Sequence, residues 1–220
     1  MIKEQLEAEI YCDPFPLMVI NNFYNEFELN LIWKELDFYT APNKLLPAEN
    51  YGGVIGFTNA KALLLDDIYR DRTKEKEKAN FRNISNILTI NRKLFNCGVL
   101  DTFSKIHGCV SLANDTNWDV TKVRYYHDGE YYDPHTDKPF QFLAFSYFYK
   151  EPKKFKGGDL EFPQYDMKIP CDNNSMVIFP GWVEHGVRKV KINDSDYFDG
   201  WGRYAITSFF GCREKNAKLL

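Results

Sequence analysis

From residue 120 to residue 149 the chain reads VTKVRYYHDGEYYDPHTDKPFQFLAFSYFY. Short runs of aromatic and β-branched residues alternate here with turn residues such as Asp128 and Gly129. The same alternation continues towards residue 212 through the runs DLEFP, MVIFP, EHGVRKVKI and RYAITSFF. Aromatic and β-branched side chains suit pleated strands, and several short strands at this spacing are typical of a sandwich or barrel. The pattern therefore predicts a β-core over residues 118–212.

The first 117 residues predict helical and irregular support for that core. An apolar stretch at residues 16–20 predicts a strand. Asn25 is followed three residues later by Glu28, which is the spacing of a capping box, and apolar residues at helical spacing predict a helix over 26–39. Similar spacing over 81–96 predicts a second helix, and the breakers in 40–80 predict irregular chain. A length of 220 residues fits one α+β domain, mainly β with N-terminal helices, over residues 1–220.

Composition excludes several classes of protein. Lys and Arg number 28 against 31 Asp and Glu, a net charge of −3, whereas proteins that bind nucleic acids usually carry a basic excess. The five cysteines form no CxxC pair, which argues against a cysteine zinc site and fits a reducing compartment. No apolar run approaches the roughly 20 residues of a membrane helix, and the N-terminus is too polar for a signal peptide. We expect a cytoplasmic protein with no nucleic-acid or membrane partner; nothing indicates its oligomeric state.

Two histidines and one carboxylate form a candidate metal site. His135 and Asp137 are two residues apart, so in a strand their side chains point to the same face. His185 follows 50 residues later in another predicted strand, and a folded barrel can bring the three together. Such a set matches the facial triad of non-haem Fe(II) oxygenases. An HxD triplet alone arises by chance in many proteins, and a surface histidine beside a turn is the alternative for His135 in isolation.

Four segments around these residues resemble, in the same order, the prolyl 4-hydroxylase-like Fe(II)/2-oxoglutarate dioxygenases. They are VRYYHDGEYYDPHTD (123–137), FSYFYKEPKKFKGGDLE (145–161), NSMVIFPGWVEHGV (174–187) and GRYAIT (202–207). The resemblance covers residues 118–212, extends weakly to the opening strand and helix, and misses 40–117. It implies a double-stranded β-helix core of the jelly-roll or cupin-like type. It also implies Fe(II), 2-oxoglutarate and O2 as cofactor and cosubstrates, with ascorbate as an optional reductant.

The resemblance assigns a role to each matching residue. His135, Asp137 and His185 would ligate Fe(II), and no catalytic residue beyond this metal site is implied. Arg203 would pair with the distal carboxylate of 2-oxoglutarate, a task suited to the forked guanidinium. Tyr147 would hydrogen-bond the same carboxylate.

Three further positions have competing interpretations. Tyr126 matches a tyrosine that faces the cosubstrate, and its neighbour Tyr125 must then face away, although a shift of one residue reverses the two. Arg203 lies 18 residues after His185, farther than is usual in the family, so Arg188 is its rival. Trp182 is expected to pack in the core, and lining a substrate groove is its alternative role.

The activity implied is hydroxylation of a C–H bond with release of succinate and CO2, with peptidyl proline of a protein or peptide partner as the leading substrate. Hydroxylation of a free amino acid or another small molecule is the alternative within the enzyme class. A nucleic-acid demethylase of the same superfamily would need a second arginine where this chain has Phe209. A non-catalytic cupin-like binding module is the alternative from another class.

Overall fold

The computed structural model describes residues 6–41, 43–53, 55–69, 81–96 and 98–212. In these ranges the strands are β1 Ala8–Tyr11, β2 Leu17–Ile20, β3 Leu46–Pro47, β4 Lys61–Leu64, β5 Trp118–Tyr126, β6 Tyr132–His135, β7 Phe142–Phe148, β8 Leu160–Phe162, β9 Met167–Ile169, β10 Ser175–Pro180, β11 His185–Val187 and β12 Arg203–Gly211. The helices are α1 Glu26–Tyr39, α2 Leu65–Ile68, α3 Asn86–Ile90, α4 Lys93–Asn96, α5 Val99–Ile106 and α6 Asp194–Phe198.

The strands form two antiparallel sheets. The large sheet has the order β1-β2-β10-β7-β12-β5-β4-β3, and the small sheet has the order β6-β11-β8-β9. Aromatic rings pack between the two, as in the contact of Phe162 on β8 with Phe179 on β10, whose ring centroids are 5.1 Å apart. The predicted fold class, a double-stranded β-helix core with additional helices, is confirmed.

Alternation along the central strands separates an inner face from an outer face. Arg203 and Ala205 on β12 pair with Tyr126 and Arg124 on β5, and Ala205 also pairs with Tyr147 on β7. Because side chains alternate across a strand, every second residue of these three strands points between the sheets. This inner face contains the pocket described below.

Helices cover the outer face of the large sheet. On α1, the ring of Trp33 lies 5.0 Å from that of Tyr204 on β12, the residue next to Arg203. The predicted helix over 26–39 is confirmed, with both hydrogen bonds of the capping box between Asn25 and Glu28 present. Burial of α1 against the sheet fixes the strands from behind and leaves their inner face free.

The prediction of one helix over 81–96 is wrong, because the helical structure is interrupted at Ser85. A 3-10 turn at Arg82–Ile84 is followed by the separate helices α3 and α4. Ser85 is the N-cap of α3 and accepts a hydrogen bond from the Leu88 backbone. The buried carboxylate of Glu35, on α1, accepts hydrogen bonds from Ser85 Oγ (2.8 Å) and from the backbone N–H groups of Asn86 (2.6 Å) and Ile87 (3.1 Å). This tertiary cap starts a new helix where apolar spacing alone predicts a continuous one.

We expect Glu35→Ala to destabilise the fold more than an ordinary surface substitution. It would leave three donors at the start of α3 without their acceptor, and each unsatisfied buried donor costs about 1–3 kcal/mol. The free energy of unfolding, measured with urea, should fall by about 3 kcal/mol. Glu26→Ala, at an exposed position of the same helix, is the control and should cost less than about 1 kcal/mol. Equal losses would contradict this account of the cap.

Strands also occur before residue 118, where the sequence predicted helical and irregular support. Besides the predicted strand at β2, the strands β1, β3 and β4 extend the two ends of the large sheet. Phe57 and Thr58 then contact the start of β6 and the residue before it: the carbonyl of Phe57 accepts the Asp133 N–H, and Thr58 Oγ1 donates to the Tyr131 carbonyl. The predicted division of the domain at residue 118 is therefore crossed by hydrogen bonds. None of the described helices is long and apolar enough to cross a membrane.

Candidate active site

Two strands of the small sheet bring the candidate metal ligands together. His135 is the last residue of β6 and His185 the first residue of β11, and the two are paired across the sheet. Asp137 follows β6 directly. Its Oδ2 atom lies 3.4 Å from Nε2 of His185 and 3.9 Å from Nε2 of His135. One ligand atom from each of the three residues lies within 4.8 Å of the others, an arrangement that could hold one metal ion.

Hydrogen bonds orient both imidazoles for this purpose. Nδ1 of His135 lies 2.9 Å from the carbonyl oxygen of Asp133, and Nδ1 of His185 lies 2.9 Å from that of Val183. A carbonyl can only accept, so each Nδ1 must bear the proton, and each Nε2 presents its lone pair to the site. Burial, aided by the nearby His185, lowers the pKa of His135 to about 4. The imidazole is therefore neutral at pH 7, the form that binds metals.

Asp137 is ionised in the same environment. Burial raises the pKa of this carboxyl group, but His185, His135 and Lys122 outweigh that effect and hold the pKa below its usual value. The site thus combines two imidazoles with one carboxylate. This donor set is the one that suits Fe(II) with open coordination positions.

A buried arginine lies on the same inner face. Arg203 is 1% exposed, and no carboxylate among the described residues pairs with it. Its Nε donates to the carbonyl of Gly158 at 2.8 Å, and its Cζ lies 4.4 Å and 4.9 Å from the ring centroids of Tyr126 and Tyr147. A buried guanidinium without an anion is costly, so this geometry could accept a carboxylate from outside the chain.

Gly158 makes room for this arginine. It has a φ of +78°, and a Cβ atom at this position would lie 2.5 Å from Cδ and 2.8 Å from Nε of Arg203. The preceding Gly157 has a φ of +74°, and a Cβ there would lie 2.1 Å from the carbonyl oxygen of Lys189. The glycine pair therefore allows close approach of this turn both to Arg203 and to the chain after β11.

We expect Gly158→Ala to weaken 2-oxoglutarate binding by displacing Arg203. Gly129→Ala is a matched control, because Gly129 has a similar φ of +75° but a Cβ atom added to it would meet nothing within 4 Å. Both variants incur the backbone cost of a left-handed conformation, about 1–2 kcal/mol, but only Gly158→Ala adds a clash. Titration of the metal-loaded protein should show at least a tenfold higher dissociation constant for Gly158→Ala alone. Equal affinities in the two variants would contradict the role of Gly158.

The orphaned polar atoms of the described residues converge on one pocket. Four buried side-chain atoms have no hydrogen-bond partner: Nη1 of Arg124, the hydroxyl of Tyr147, Nε2 of His185 and Nη1 of Arg203. All four residues line the pocket between the sheets that also contains His135 and Asp137. Buried polar groups in folded proteins are normally satisfied. Four exceptions in a single pocket indicate that ligands from outside the chain complete their hydrogen bonds and coordination.

The structure also separates the rival positions. Tyr126 lines the pocket, while Tyr125 points outward, donates its hydroxyl to the Tyr197 carbonyl and stacks on Tyr204. Arg188 forms an ion pair with Glu161 at 2.7 Å, with its side chain 48% exposed, and does not line the pocket. The expectation that Trp182 packs in the core is wrong: it lies in the turn between β10 and β11 and is 44% exposed.

Sequence analysis did not predict two cationic residues that line the pocket. Lys122 and Arg124 line it together with Tyr126, and the three occupy alternate positions on β5. The period of two could have placed them on the same face as Tyr126. Sequence analysis also missed residues of the apolar wall; they are Tyr132, Phe145, Ala205 and Phe209.

Comparison with known proteins agrees with this geometry. Residues 121–211 match the model of the 2OG-Fe(II) oxygenase superfamily. No curated protein matches the sequence. Three similar solved structures differ greatly from the chain in sequence, so that the likeness is one of fold.

The first is a prolyl-4-hydroxylase from Pseudomonas putida, with a TM-score of 0.57 at 15% identity, over 90% of this chain and 93% of that one. The second is an oxidoreductase of the 2OG-Fe(II) oxygenase family from Burkholderia pseudomallei, with a TM-score of 0.55 at 15% identity, over 88% and 84%. The third is a truncated viral collagen prolyl hydroxylase from Paramecium bursaria Chlorella virus-1, with a TM-score of 0.52 at 14% identity, over 96% and 97%.

Proposed function

We propose that this chain, whose residues 121–211 match the model of the 2OG-Fe(II) oxygenase superfamily, is an active dioxygenase that hydroxylates a C–H bond. The observation that supports this is the convergence of orphaned polar atoms on the pocket that contains the His-Asp-His cluster. A degenerate relative would have no need to keep these groups buried and unsatisfied, because each costs free energy of folding.

The residues divide into two binding tasks. His135, Asp137 and His185 would hold Fe(II) through Nε2, a carboxylate oxygen and Nε2. Arg203 and Tyr147 would bind the distal carboxylate of 2-oxoglutarate, through the guanidinium Nη1 atom and the phenol hydroxyl that now lack partners. When bound, Fe(II) would allow O2 to oxidise both 2-oxoglutarate, to succinate and CO2, and the substrate C–H bond, to an alcohol, with one oxygen atom going to each.

The remaining side chains orient the reactants and exclude water. The hydrogen bonds from Nδ1 to the backbone hold both imidazoles in one tautomer. Tyr126 lies against the Arg203 guanidinium and restricts its rotation beside the cosubstrate. Val187 and Phe145 supply apolar walls next to the metal cluster, and an apolar lining protects reactive species from solvent. Ascorbate would act as a reductant from solution, without a site in this assignment.

The test is the visible charge-transfer band that forms when Fe(II) and 2-oxoglutarate bind together without oxygen. We expect the band in the wild type, its loss in His135→Ala and its retention in His127→Ala. The control histidine lies outside the pocket and contacts Asp194 at 3.0 Å. No band in a well-folded wild type would overturn the proposal and favour a non-catalytic cupin-like binding module.

For the substrate, peptidyl proline is the first candidate. What supports it is the resemblance of the motifs to prolyl 4-hydroxylases and the names of two similar folds, those from P. putida and the Chlorella virus. Succinate release with a proline-containing peptide should exceed release with the same peptide carrying alanine instead. A free amino acid or another small molecule is the second candidate, favoured by the small, cation-rich inner face of the pocket.

A further inference from the structure

Arg124 is the one orphaned group of the pocket that neither iron nor 2-oxoglutarate explains. It lies on β5, two residues before Tyr126, and is 4% exposed. Its Nη1 atom has no hydrogen-bond partner, and its Cζ lies 5.4 Å from the ring centroid of Tyr132. That ring in turn stacks on His135, with centroids 4.0 Å apart. The guanidinium is therefore one aromatic ring away from the metal cluster.

Lys122 adds a second cation on the same face. It is 9% exposed, pairs with Thr207 on β12, and places Nζ 4.8 Å from the ring centroid of Phe209. Burial, followed by the repulsion from Arg124, lowers the pKa of Lys122 to about 8, so most of it is still charged at pH 7. Two neighbouring buried cations repel each other, which makes an anion between them favourable.

Within the part of the chain that the structure describes, no carboxylate forms an ion pair with either cation. Glu130 is buried nearby, but its carboxylate accepts the backbone N–H of His127 and forms no ion pair with Arg124. Asp137 is assigned to the metal.

The proposed ligands do not neutralise it either. Fe(II) and Arg203 together carry three positive charges, and Asp137 with the two carboxylates of 2-oxoglutarate carries three negative charges. The loaded metal and cosubstrate sites are therefore neutral, and they do not balance the charges of Arg124 and Lys122. Buried charges that lack a paired counter-charge favour the binding of an anionic ligand.

We propose that the substrate itself carries a carboxylate, which binds to Arg124 with support from Lys122 while the adjoining C–H bond faces the iron. This inference rests on the proposed function and specifies its substrate class. This carboxylate site is separate from the cosubstrate site along β5. Arg124 and Lys122 are two and four residues from Tyr126, and such positions on a strand are about 7 Å and 13 Å apart. The carboxylate can belong to a free acid or to an acidic residue of a peptide.

The probes are matched acids and amides. One series consists of N-acetyl amino acids and their primary amides, and the other consists of acetylated, amidated proline peptides with Glu or Gln after the proline. Binding is measured without oxygen from the change that each probe causes in the charge-transfer band of the loaded wild type. We expect at least one acid to bind about 10- to 100-fold more tightly than its neutral counterpart, the size of a charge-assisted hydrogen bond. The series in which this occurs identifies the source of the carboxylate.

Arg124→Gln should remove this preference while changing the dissociation constant of 2-oxoglutarate by less than about threefold. Arg124→Lys should retain part of the preference, and Lys122→Met should reduce it. Arg188→Gln, at the exposed arginine that pairs with Glu161, is the control and should retain all of it.

Three results would overturn the inference. The first is equal binding of acids and amides in both series, and the second is a preference for acids that persists in Arg124→Gln. The third is a loss of 2-oxoglutarate affinity in Arg124→Gln that is as large as the loss of affinity for any of the acid probes. The last would assign Arg124 to the cosubstrate. Each presupposes a normal band in the wild type, so failure of this inference is distinguishable from failure of the proposed function, in which the band itself is absent.

Discussion

Asp137→Ala is expected to reduce 2-oxoglutarate turnover more than 100-fold. The carboxylate is the only anionic member of the His135, Asp137 and His185 cluster, and its Oδ2 atom lies within 4 Å of both Nε2 atoms. Mutation of a residue that only orients a metal ligand lowers metal affinity or activity by about 10- to 100-fold. Removing the ligand itself, together with its charge, should exceed that range. Succinate release at saturating Fe(II) measures the effect.

The matched control is Asp133→Ala, an exposed carboxylate two residues before His135. Its backbone carbonyl, which orients His135, is kept in the variant, so turnover should change less than about threefold. Co(II) binding followed by its visible absorption gives a second readout that does not depend on activity. Retention of tight Co(II) binding and turnover in Asp137→Ala would show that the cluster is not the metal site.

The sequence was sufficient to predict the half of this site that depends on local periodicity. His135 and Asp137 share a face because they are two residues apart. Alternation also places Tyr125 and Tyr126 on opposite faces, although the choice of Tyr126 for the pocket came from the family resemblance. The capping box of α1 is equally local. The pairing of His185 opposite His135 is not local: it depends on strand order, which only the resemblance of ordered motifs implied.

Tertiary interactions explain what the sequence did not predict. Glu35 caps α3 from another helix, so spacing over 81–96 could not reveal the break. Trp182 is apolar, but the turn that contains it leaves it exposed. Alternation could have placed Arg124 and Lys122 on the inner face, but only the folded chain shows that no described carboxylate pairs with them. The mispredicted or missed residues are thus mainly those whose partners are distant in sequence or are not found among the described residues.

Arg203→Met is expected to weaken 2-oxoglutarate binding strongly and to have little effect on the stability of the ligand-free protein. The affinity of the metal-loaded protein for 2-oxoglutarate should fall about 100-fold or more, because truncating a buried, hydrogen-bonded charge pair typically costs about 2–5 kcal/mol. The free energy of unfolding of the ligand-free protein should not fall by more than about 1 kcal/mol, and it can rise. Isothermal titration and urea unfolding measure the two quantities.

Affinity and stability are expected to respond differently because the guanidinium is buried without a carboxylate partner among the described residues. Where an arginine stabilises a fold through a buried ion pair, removing the arginine costs about 3–5 kcal/mol, because the charge of its partner is left uncompensated. Arg203 is 1% exposed but has no carboxylate partner among the described residues, so methionine removes a desolvated charge and leaves none behind. The hydrogen bond from Nε to the Gly158 carbonyl is lost in the variant, which offsets part of the gain.

Two comparisons make this prediction decisive. Arg188→Met removes an exposed ion pair with Glu161, so it should change the stability by less than about 1 kcal/mol and leave 2-oxoglutarate binding unaltered. In the metal-loaded wild type, 2-oxoglutarate at about 100 times its dissociation constant should add about 2.7 kcal/mol to the free energy of unfolding, an increment that metal-loaded Arg203→Met should lose. A large loss of stability in ligand-free Arg203→Met would instead identify the arginine as a structural residue. The two results differ in size, because a guanidinium kept for an external carboxylate adds little or no stability to the ligand-free protein, whereas a structural one stabilises it by several kcal/mol.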